Sequence, residues 1–416
     1  MNNSAAKKEP SIMVGGFVLG GAMIGAGMFS LPTIMAGAWF INSVVILLVV
    51  CFFMFHSGIY ILECISKYGA GTNYFFISKE LLPRWACYIA NMALIFVLYI
   101  LIYAYISAAG SVIKEAAAIY GYNINLRLIF IIFTLILGAS IWWSGVGASR
   151  LTSLFLFIKI ILFILAFSGL FFIVKTDLLL TSPVEGGQTA LLPFVFIIIP
   201  YAITSFGYHG NVCSLYKLYH ENERKVVKSC VIGCVLALVL YFLGLWGRIW
   251  GNLPRAEFLT IINKGGNLDA FIESLYAVLN SKNIATFLLW FSISAVFCSF
   301  LGVAIGLFDY ILASLNFKDN PSGRMKSALL CFLPPLILCM LFPNGFLIAI
   351  AYAGMAACIW AIICPAVMAL KVRERFPDSR FKVWGGKGLI YAVIAFGVVG
   401  IICQLLAQFN LLPIYR

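Results

Sequence analysis

Long apolar stretches separated by short polar segments dominate this chain of 416 residues. A helix needs about 20 mostly apolar residues to cross the hydrocarbon core of a bilayer, and each stretch is close to that length or longer. Because a spanning helix satisfies its own backbone hydrogen bonds, the pattern predicts an all-α polytopic membrane protein. The predicted spans are residues 11–36, 39–63, 88–113, 127–143, 152–174, 190–214, 229–250, 284–312, 327–343, 345–370 and 388–409.

The composition agrees with this prediction and excludes a soluble protein. Hydrophobic residues make up 63% of the chain and charged residues 10%, whereas soluble domains carry about 25% charged residues. The net charge of +13 does not indicate a nucleic-acid partner, because the basic residues lie in short segments between spans. The cysteines lie mostly inside apolar stretches and form no CxxC pair. We therefore predict no disulfide, metal site or cofactor, and no obligate protein partner.

The distribution of basic residues predicts the orientation of the chain. Lys and Arg concentrate in every second connecting segment, beginning before the first span. Since cytoplasmic loops carry the excess of basic residues, we expect a cytoplasmic N-terminal tail (1–10) and an external C-terminal tail (410–416). Two longer connections, 66–85 inside and 252–282 outside, are amphipathic and predict short helices, of which the second could form an external cap.

Two of the spans contain residues that interrupt a helix halfway across the membrane. The first has the sequence IGAGMFSLP (24–32), and each glycine costs a helix about 1 kcal/mol relative to alanine. Gly25 and Gly27 do not share a helix face, so their spacing favours unwinding over close packing. The sixth span has the sequence PYAITSFGYHGN (200–211), which combines a proline, two glycines and several polar groups.

The positions of these interruptions predict two inverted repeats. They fall in the first and sixth spans, at corresponding places in two groups of five, and paired broken helices are typical of inverted-repeat transporters. We predict a first repeat over 11–175, a second over 190–370 that includes the external loop, and an eleventh helix over 388–409. The alternative interpretation is a pair of kinked packing helices.

Unwound backbone at mid-membrane depth suits a zwitterionic amino acid. A carboxylate accepts hydrogen bonds from amides at a half-helix N-terminus, and we predict that the main-chain amides of Gly25, Ala26 and Gly27 bind it. An ammonium group donates to freed carbonyls. The Phe206 ring could stack on an aromatic substrate, although core packing is an alternative role. His209 could instead be a hydrogen-bonded structural residue, and Asn211 could cap the following helix. The predicted substrate-binding residues of the two interruptions are Ile24, Gly25, Ala26, Gly27, Ser205, Phe206, His209 and Asn211.

Polar side chains inside other spans are further candidates. Lys159 lies within the fifth span, and an intramembrane charge is a functional candidate by default. We therefore predict that Lys159 loads and releases the coupling proton, the alternative being a side chain that reaches the cytoplasmic surface. Tyr103 in the third span is predicted to contact the substrate, unless it is a packed aromatic with a satisfied hydroxyl. Glu63 and Asp309, near cytoplasmic helix ends, are expected to pair with Lys or Arg.

Eight stretches from the first span to the last connecting segment carry a resemblance to a known family: GAMIGAGMFSLP (21–32), GAWF (37–40), FVLYILIYAYISA (96–108), SFGYHGN (205–211), GGNLDA (265–270), SFLGVAIGLFDYILA (299–313), LFPNGF (341–346) and VWGGK (383–387). In combination they resemble the hydroxy and aromatic amino acid permeases, and within that family the bacterial tryptophan permeases. The resemblance implies the LeuT-type five-plus-five inverted-repeat fold of the APC superfamily with one extra helix, located in the bacterial inner membrane. It also implies symport of tryptophan, or a related aromatic amino acid, with protons. In such transporters a lysine at the position of Lys159 can replace a sodium ion between the first, fifth and eighth helices, and Ser299 is expected to face it.

Other functions remain open at this point. The chain could be a permease for tyrosine or another aromatic or neutral amino acid, or an amino acid exchanger without net proton coupling. An intramembrane enzyme is disfavoured, because the sequence contains no HExxH, no GxSxG and no paired membrane aspartates. A channel is disfavoured by the paired interruptions.

Overall fold

Helices account for all the regular secondary structure in the part of the chain that the computed structural model describes. Ten helical segments within it are long and apolar enough to cross a membrane, which confirms the prediction of an all-α polytopic membrane protein. The first predicted span is not among these ten, because it consists of two short helices. The described residues are 11–25, 27–69, 71–168, 176–180, 187–242, 255–263, 273, 282–413 and 415.

The helices follow one another along the chain with short connections. Two of the ten spans are composite: a 3₁₀ helix (Gly187–Phe194) precedes α9, and a π-helical stretch (Cys358–Ile363) joins α15 to α16. The α-helices are α1 (Ile12–Met23), α2 (Gly27–Met35), α3 (Trp39–Ile65), α4 (Tyr74–Leu81), α5 (Arg84–Ile119), α6 (Leu126–Trp143), α7 (Gly145–Ser168), α8 (Thr176–Leu180), α9 (Val195–Ser205), α10 (Val212–Leu218), α11 (Glu223–Val239), α12 (Glu257–Asn263), α13 (Lys282–Ser314), α14 (Pro321–Leu341), α15 (Phe346–Ala357), α16 (Cys364–Arg375) and α17 (Gly386–Gln408).

Several helices are longer than the apolar stretches that predicted them. Helix α5 covers Arg84–Ile119, whereas the predicted span was 88–113. This helix begins directly after Pro83 and continues past the apolar stretch as far as Ile119. Asparagine side chains cap four helices by accepting a backbone N–H of the first turn. These are Asn73 before α4, Asn125 before α6, Asn222 before α11 and Asn320 before α14.

Both longer connections contain short helices, as predicted. Helix α4 lies in the 66–85 segment and buries Tyr74, Ile77 and Leu81. Helix α12 lies in the 252–282 segment, most of whose remainder is outside the described residues. Just before α12, the Arg255 guanidinium donates to the Ala36 and Gly37 carbonyls, at 3.0 and 2.9 Å. The start of this segment therefore covers the end of α2.

A buried ion pair joins the end of α3 to the end of α16. Glu63 is fully buried and accepts from the Arg373 guanidinium at 2.7 and 2.8 Å. The same carboxylate accepts the Val383 N–H at 2.9 Å, and Arg373 donates to the Val383 carbonyl at 2.8 Å. The predicted pairing of Glu63 with a basic residue is confirmed. The pairing of Asp309 stays a prediction.

We predict that Glu63→Gln destabilises the protein, because it leaves the Arg373 charge without its anion in a mostly buried site. Breaking a buried ion pair costs about 3–5 kcal/mol. Thermal unfolding of the purified protein in detergent should show a clearly lower midpoint. The control is Glu374→Gln, which removes an exposed carboxylate that pairs with Lys371 at 2.9 Å, and its midpoint should match the wild type. Equal midpoints for both variants would contradict the structural role of Glu63.

Candidate functional site

Both predicted interruptions are present as breaks between two helices. Helix α1 ends at Met23, residues 24 and 25 form a bend, and α2 begins at Gly27. Helix α9 ends at Ser205, and non-helical backbone follows at residues 207–208. A short 3₁₀ helix (His209–Asn211) then leads into α10. Ala26, one of the predicted binding residues, lies outside the described residues.

The two interruptions are in direct contact with each other. A Cβ atom added at Gly27 would overlap the Ser205 side chain and would lie 2.8 Å from the Ser205 Cα. Only glycine therefore fits at position 27 in this arrangement. The first residue of α2 and the last residue of α9 thus meet in the interior of the protein, which brings the two breaks together at Gly27 and Ser205.

The bend between α1 and α2 is surrounded by polar side chains from other helices. A Cβ atom added at Gly25 would lie 3.0 Å from the Ser299 Oγ of α13 and 3.3 Å from the Tyr105 hydroxyl of α5. Ser299 was predicted to lie near the coupling lysine, whereas Tyr105 was not predicted. Both hydroxyls lie within reach of polar groups on the opened backbone.

Lys159 reaches the same bend from α7. Its side chain is buried, with 3% of its surface exposed. The Nζ atom donates to the Ile24 carbonyl at 2.9 Å and lies 3.4 Å from the Gly21 carbonyl. These two carbonyls belong to the C-terminal end of α1, where helix geometry leaves carbonyls without intrahelical donors. Lys159 therefore lies on the first interruption, and its role in proton coupling stays a prediction.

The backbone of this bend is partly satisfied by its own hydrogen bonds. The Gly25 N–H donates to the Met23 carbonyl at 2.8 Å, and the Met28 N–H donates to the Gly25 carbonyl at 3.2 Å. The sequence interpretation expected the Gly25 amide to be open to a carboxylate. Because the chain turns tightly here, the Gly25 amide is already bound to the Met23 carbonyl. The helix N-terminus that faces the break begins at Gly27.

Ser205 and Phe206 are held firmly at the second interruption. The Ser205 hydroxyl donates to the Tyr201 carbonyl, one turn earlier, at 2.7 Å. The Phe206 side chain is fully buried. Its ring meets the Tyr241 ring edge to face, with centroids 5.6 Å apart. The pair is a typical aromatic contact, and it fixes the Phe206 ring beside the break.

His209 makes a specific contact with α3. Its Nε2 lies 2.8 Å from the Ser57 Oγ, and Ser57 itself donates to the Met54 carbonyl at 3.0 Å. Ser57 thus ties His209 to α3, whichever ring nitrogen of the histidine carries the proton. The Asn211 side chain makes no capping hydrogen bond to α10. The alternative role of Asn211 as a helix cap is therefore wrong.

Tyr103 contacts a part of the fold outside the two breaks. Its hydroxyl donates to the Phe342 carbonyl at 2.7 Å, in the turn that joins α14 to α15. A cavity of about 450 Å³ adjoins this turn, and Tyr103 lines it together with Asn344 and Tyr352. No described residue of either interruption lines the cavity. A contact between Tyr103 and the substrate stays a prediction.

Sequence reasoning missed the residue that joins the two breaks most directly. The Tyr241 hydroxyl donates to the Met23 carbonyl at 2.7 Å and lies 3.0 Å from the Ser205 carbonyl. Tyr241 follows α11 in the apolar run VLALVLYFLGL (235–245). A hydroxyl in the middle of such a run needs a partner in the membrane, and this was the signal that could have found it.

Comparisons with known proteins point to one transporter family. The family model of the tryptophan/tyrosine permease family matches residues 8–404. The chain belongs to this family. It is 79% identical over 405 residues to the low affinity tryptophan permease of Proteus vulgaris, with 97% of each chain covered. It is also 42% identical to the low affinity tryptophan permease of Escherichia coli K12 and 36% identical to the tyrosine permease of Enterobacter agglomerans, with 98% of each chain covered.

For this member of the permease family, we predict that Gly27→Ala destabilises the contact between the breaks. The added methyl group overlaps Ser205, and overpacking a tight site costs about 1–3 kcal/mol. Thermal unfolding in detergent should therefore show a lower midpoint. Gly302→Ala is the control, because a Cβ atom at this helical glycine meets nothing within 4 Å. If Gly27→Ala unfolds at the same temperature as Gly302→Ala, α2 and α9 do not meet as described.

Proposed function

We propose that the protein takes up tryptophan across the bacterial inner membrane by alternating access, driven by symport with protons. The observation that carries this proposal is the contact of two broken helices at Gly27 and Ser205, with Lys159 bound to the carbonyl end of α1. Such a site offers opened backbone to a zwitterion and a titratable amine to a proton. The names of the similar permeases support tryptophan as the substrate.

The breaks supply groups of both signs for an amino acid. The C-terminal ends of α1 and α9 both reach the site, and helix C-termini carry partial negative charge that favours an ammonium group. Helix α2 begins there, and its N-terminus favours a carboxylate. In this proposal Phe206 contacts the aromatic ring of the substrate. Ile24, Gly25, Ala26, Gly27, Ser205, His209, Asn211 and Tyr103 complete the proposed substrate-binding set.

Lys159 is the proposed proton carrier. Ser299, on the other side of the bend, is proposed to take part in proton coupling. A protonated lysine donates strong, charge-assisted hydrogen bonds, and a neutral amine donates weaker ones. The protonation state of Lys159 therefore changes how firmly the Ile24 and Gly21 carbonyls are held. Because these carbonyls end α1, proton binding and the position of this half-helix are linked.

The proposed architecture is the LeuT-type fold of the APC superfamily with eleven spans. Its repeats cover 11–175 and 190–370, and the eleventh helix covers 388–409. The broken α1–α2 and α9–α10 segments support this, because each occupies the first position of one repeat. The bias of basic residues supports a cytoplasmic N-terminus and a periplasmic C-terminus.

We predict that Lys159→Ala abolishes proton-driven accumulation of tryptophan. In proteoliposomes with an acidic exterior, the wild type should concentrate labelled tryptophan inside, and collapsing the pH gradient should remove the accumulation. In the variant, the ratio of internal to external tryptophan should fall at least tenfold. The variant should still exchange internal for external tryptophan, because the backbone groups of the binding site remain. Lys217→Ala, at an exposed residue of α10, should behave as the wild type.

The same assay separates the alternatives. A pH gradient without effect on the wild type would indicate an exchanger. Stronger competition by tyrosine than by unlabelled tryptophan would indicate a tyrosine permease, for which the 36% identical Enterobacter relative is a precedent. Accumulation by Lys159→Ala with the pH dependence of the wild type would show that another group carries the proton.

A further inference from the structure

Tyr241 connects the ends of two helices that are distant in sequence. It lies just past the last residue of α11, in a short π-helical turn, and it is fully buried. Its hydroxyl contacts the carbonyl of Met23, the last residue of α1, at 2.7 Å. It also contacts the carbonyl of Ser205, the last residue of α9, at 3.0 Å. One side chain thus bridges both broken helices on their carbonyl sides.

The hydrogen-bonding capacity of these groups defines what Tyr241 can do. A phenol carries one proton, whereas each carbonyl oxygen has two lone pairs. The Met23 oxygen accepts from the Gly25 N–H as well as from Tyr241, at 2.8 Å and 2.7 Å. The single phenol proton is therefore shared between the Met23 and Ser205 oxygens as a three-centre hydrogen bond. The Ser205 oxygen then keeps a second lone pair that can accept from an ammonium group. Tyr241 therefore orients the Ser205 carbonyl and leaves one of its lone pairs to accept a hydrogen bond from the substrate.

The same side chain also fixes an aromatic ring at the site. The Tyr241 ring meets the Phe206 ring at an interplanar angle of 88°, with centroids 5.6 Å apart. Ser205 and Phe206 are adjacent in the chain, and Tyr241 contacts both the Ser205 carbonyl and the Phe206 ring. A single residue thus controls a group suited to the ammonium and a group suited to the aromatic part of an amino acid.

We propose that Tyr241 is a positioning residue for the transported amino acid. It holds the carbonyl ends of α1 and α9, and the Phe206 ring, in the arrangement that a bound aromatic zwitterion requires. Lys159 donates to other atoms, the Ile24 and Gly21 carbonyls. We therefore expect the loss of the Tyr241 hydroxyl to weaken substrate binding, while Lys159 keeps its own hydrogen bonds to α1 and with them the proton coupling. This inference rests on the proposed function of the protein as an amino acid permease.

The test uses Tyr241→Phe in the full-length protein, reconstituted in proteoliposomes with labelled tryptophan. The expected result is a 3- to 10-fold rise in the half-saturating concentration, about the effect of one buried hydrogen bond. The maximal rate should stay within about twofold of the wild type, and the pH profile should not change.

The matched control is Tyr219→Phe. Tyr219 is also fully buried, and its hydroxyl donates at 3.1 Å to the Ser11 carbonyl, beside the start of α1. It lies at the opposite end of that helix from Met23, so its removal should leave the half-saturating concentration unchanged. A Tyr241→Phe variant with wild-type half-saturation, or one whose main change is in the pH profile, would overturn the positioning role.

A second measurement covers the case in which Tyr241→Phe does not fold. 3-Fluorotyrosine incorporated at position 241 keeps the shape of the side chain and strengthens the hydroxyl as a donor. The proposal requires a shifted half-saturating concentration with an unchanged pH profile, and an unchanged value would overturn it. If the wild type itself takes up no tryptophan, the proposed substrate is wrong and this inference falls with it. An active wild type with an unaffected variant overturns the role of Tyr241 alone.

Discussion

The site depends on one constraint, the need to satisfy backbone that has left the helical conformation inside the protein and away from water. An unpaired carbonyl in such surroundings costs several kcal/mol. At the end of α1, Lys159 and Tyr241 donate to the Gly21, Ile24 and Met23 carbonyls. The break can persist because two side chains replace the donors that a continuous helix would have provided.

Close approach of small residues makes this arrangement possible. Gly27 allows α2 to touch Ser205 directly, and a Cβ atom added at Gly233 of α11 would lie 3.2 Å from the Gly16 carbonyl of α1. In membranes, where lipid is as apolar as the helix surface, contacts of this kind supply much of the attraction between helices. The polar site is therefore held in place by close backbone packing on both sides.

Much of this organisation could be predicted from the sequence, because it follows from local patterns. The length of the apolar stretches predicted the spans. The glycines near position 25 and the motif at 205–211 predicted the two breaks. Tertiary contacts could not be predicted in the same way. Tyr241 joins the breaks because of how α11 packs, and Tyr103 binds the Phe342 carbonyl because of a turn far along the chain. The hydrogen bond from the Gly25 amide to the Met23 carbonyl depends on how tightly the chain turns. The residue types in this stretch do not determine how tight that turn is.

The ion pair of Glu63 and Arg373 has a consequence for how the protein is made. Its partners are 310 residues apart in the chain. At 5–20 residues per second, the ribosome needs about 15 to 60 s to reach the arginine after it has incorporated the glutamate. During biogenesis, α3 is therefore synthesised long before Glu63 can pair with Arg373. The final docking of α3 is thus a late step of assembly. A truncated nascent chain that stops before position 373 will lack this anchor, whatever the quality of its earlier helices.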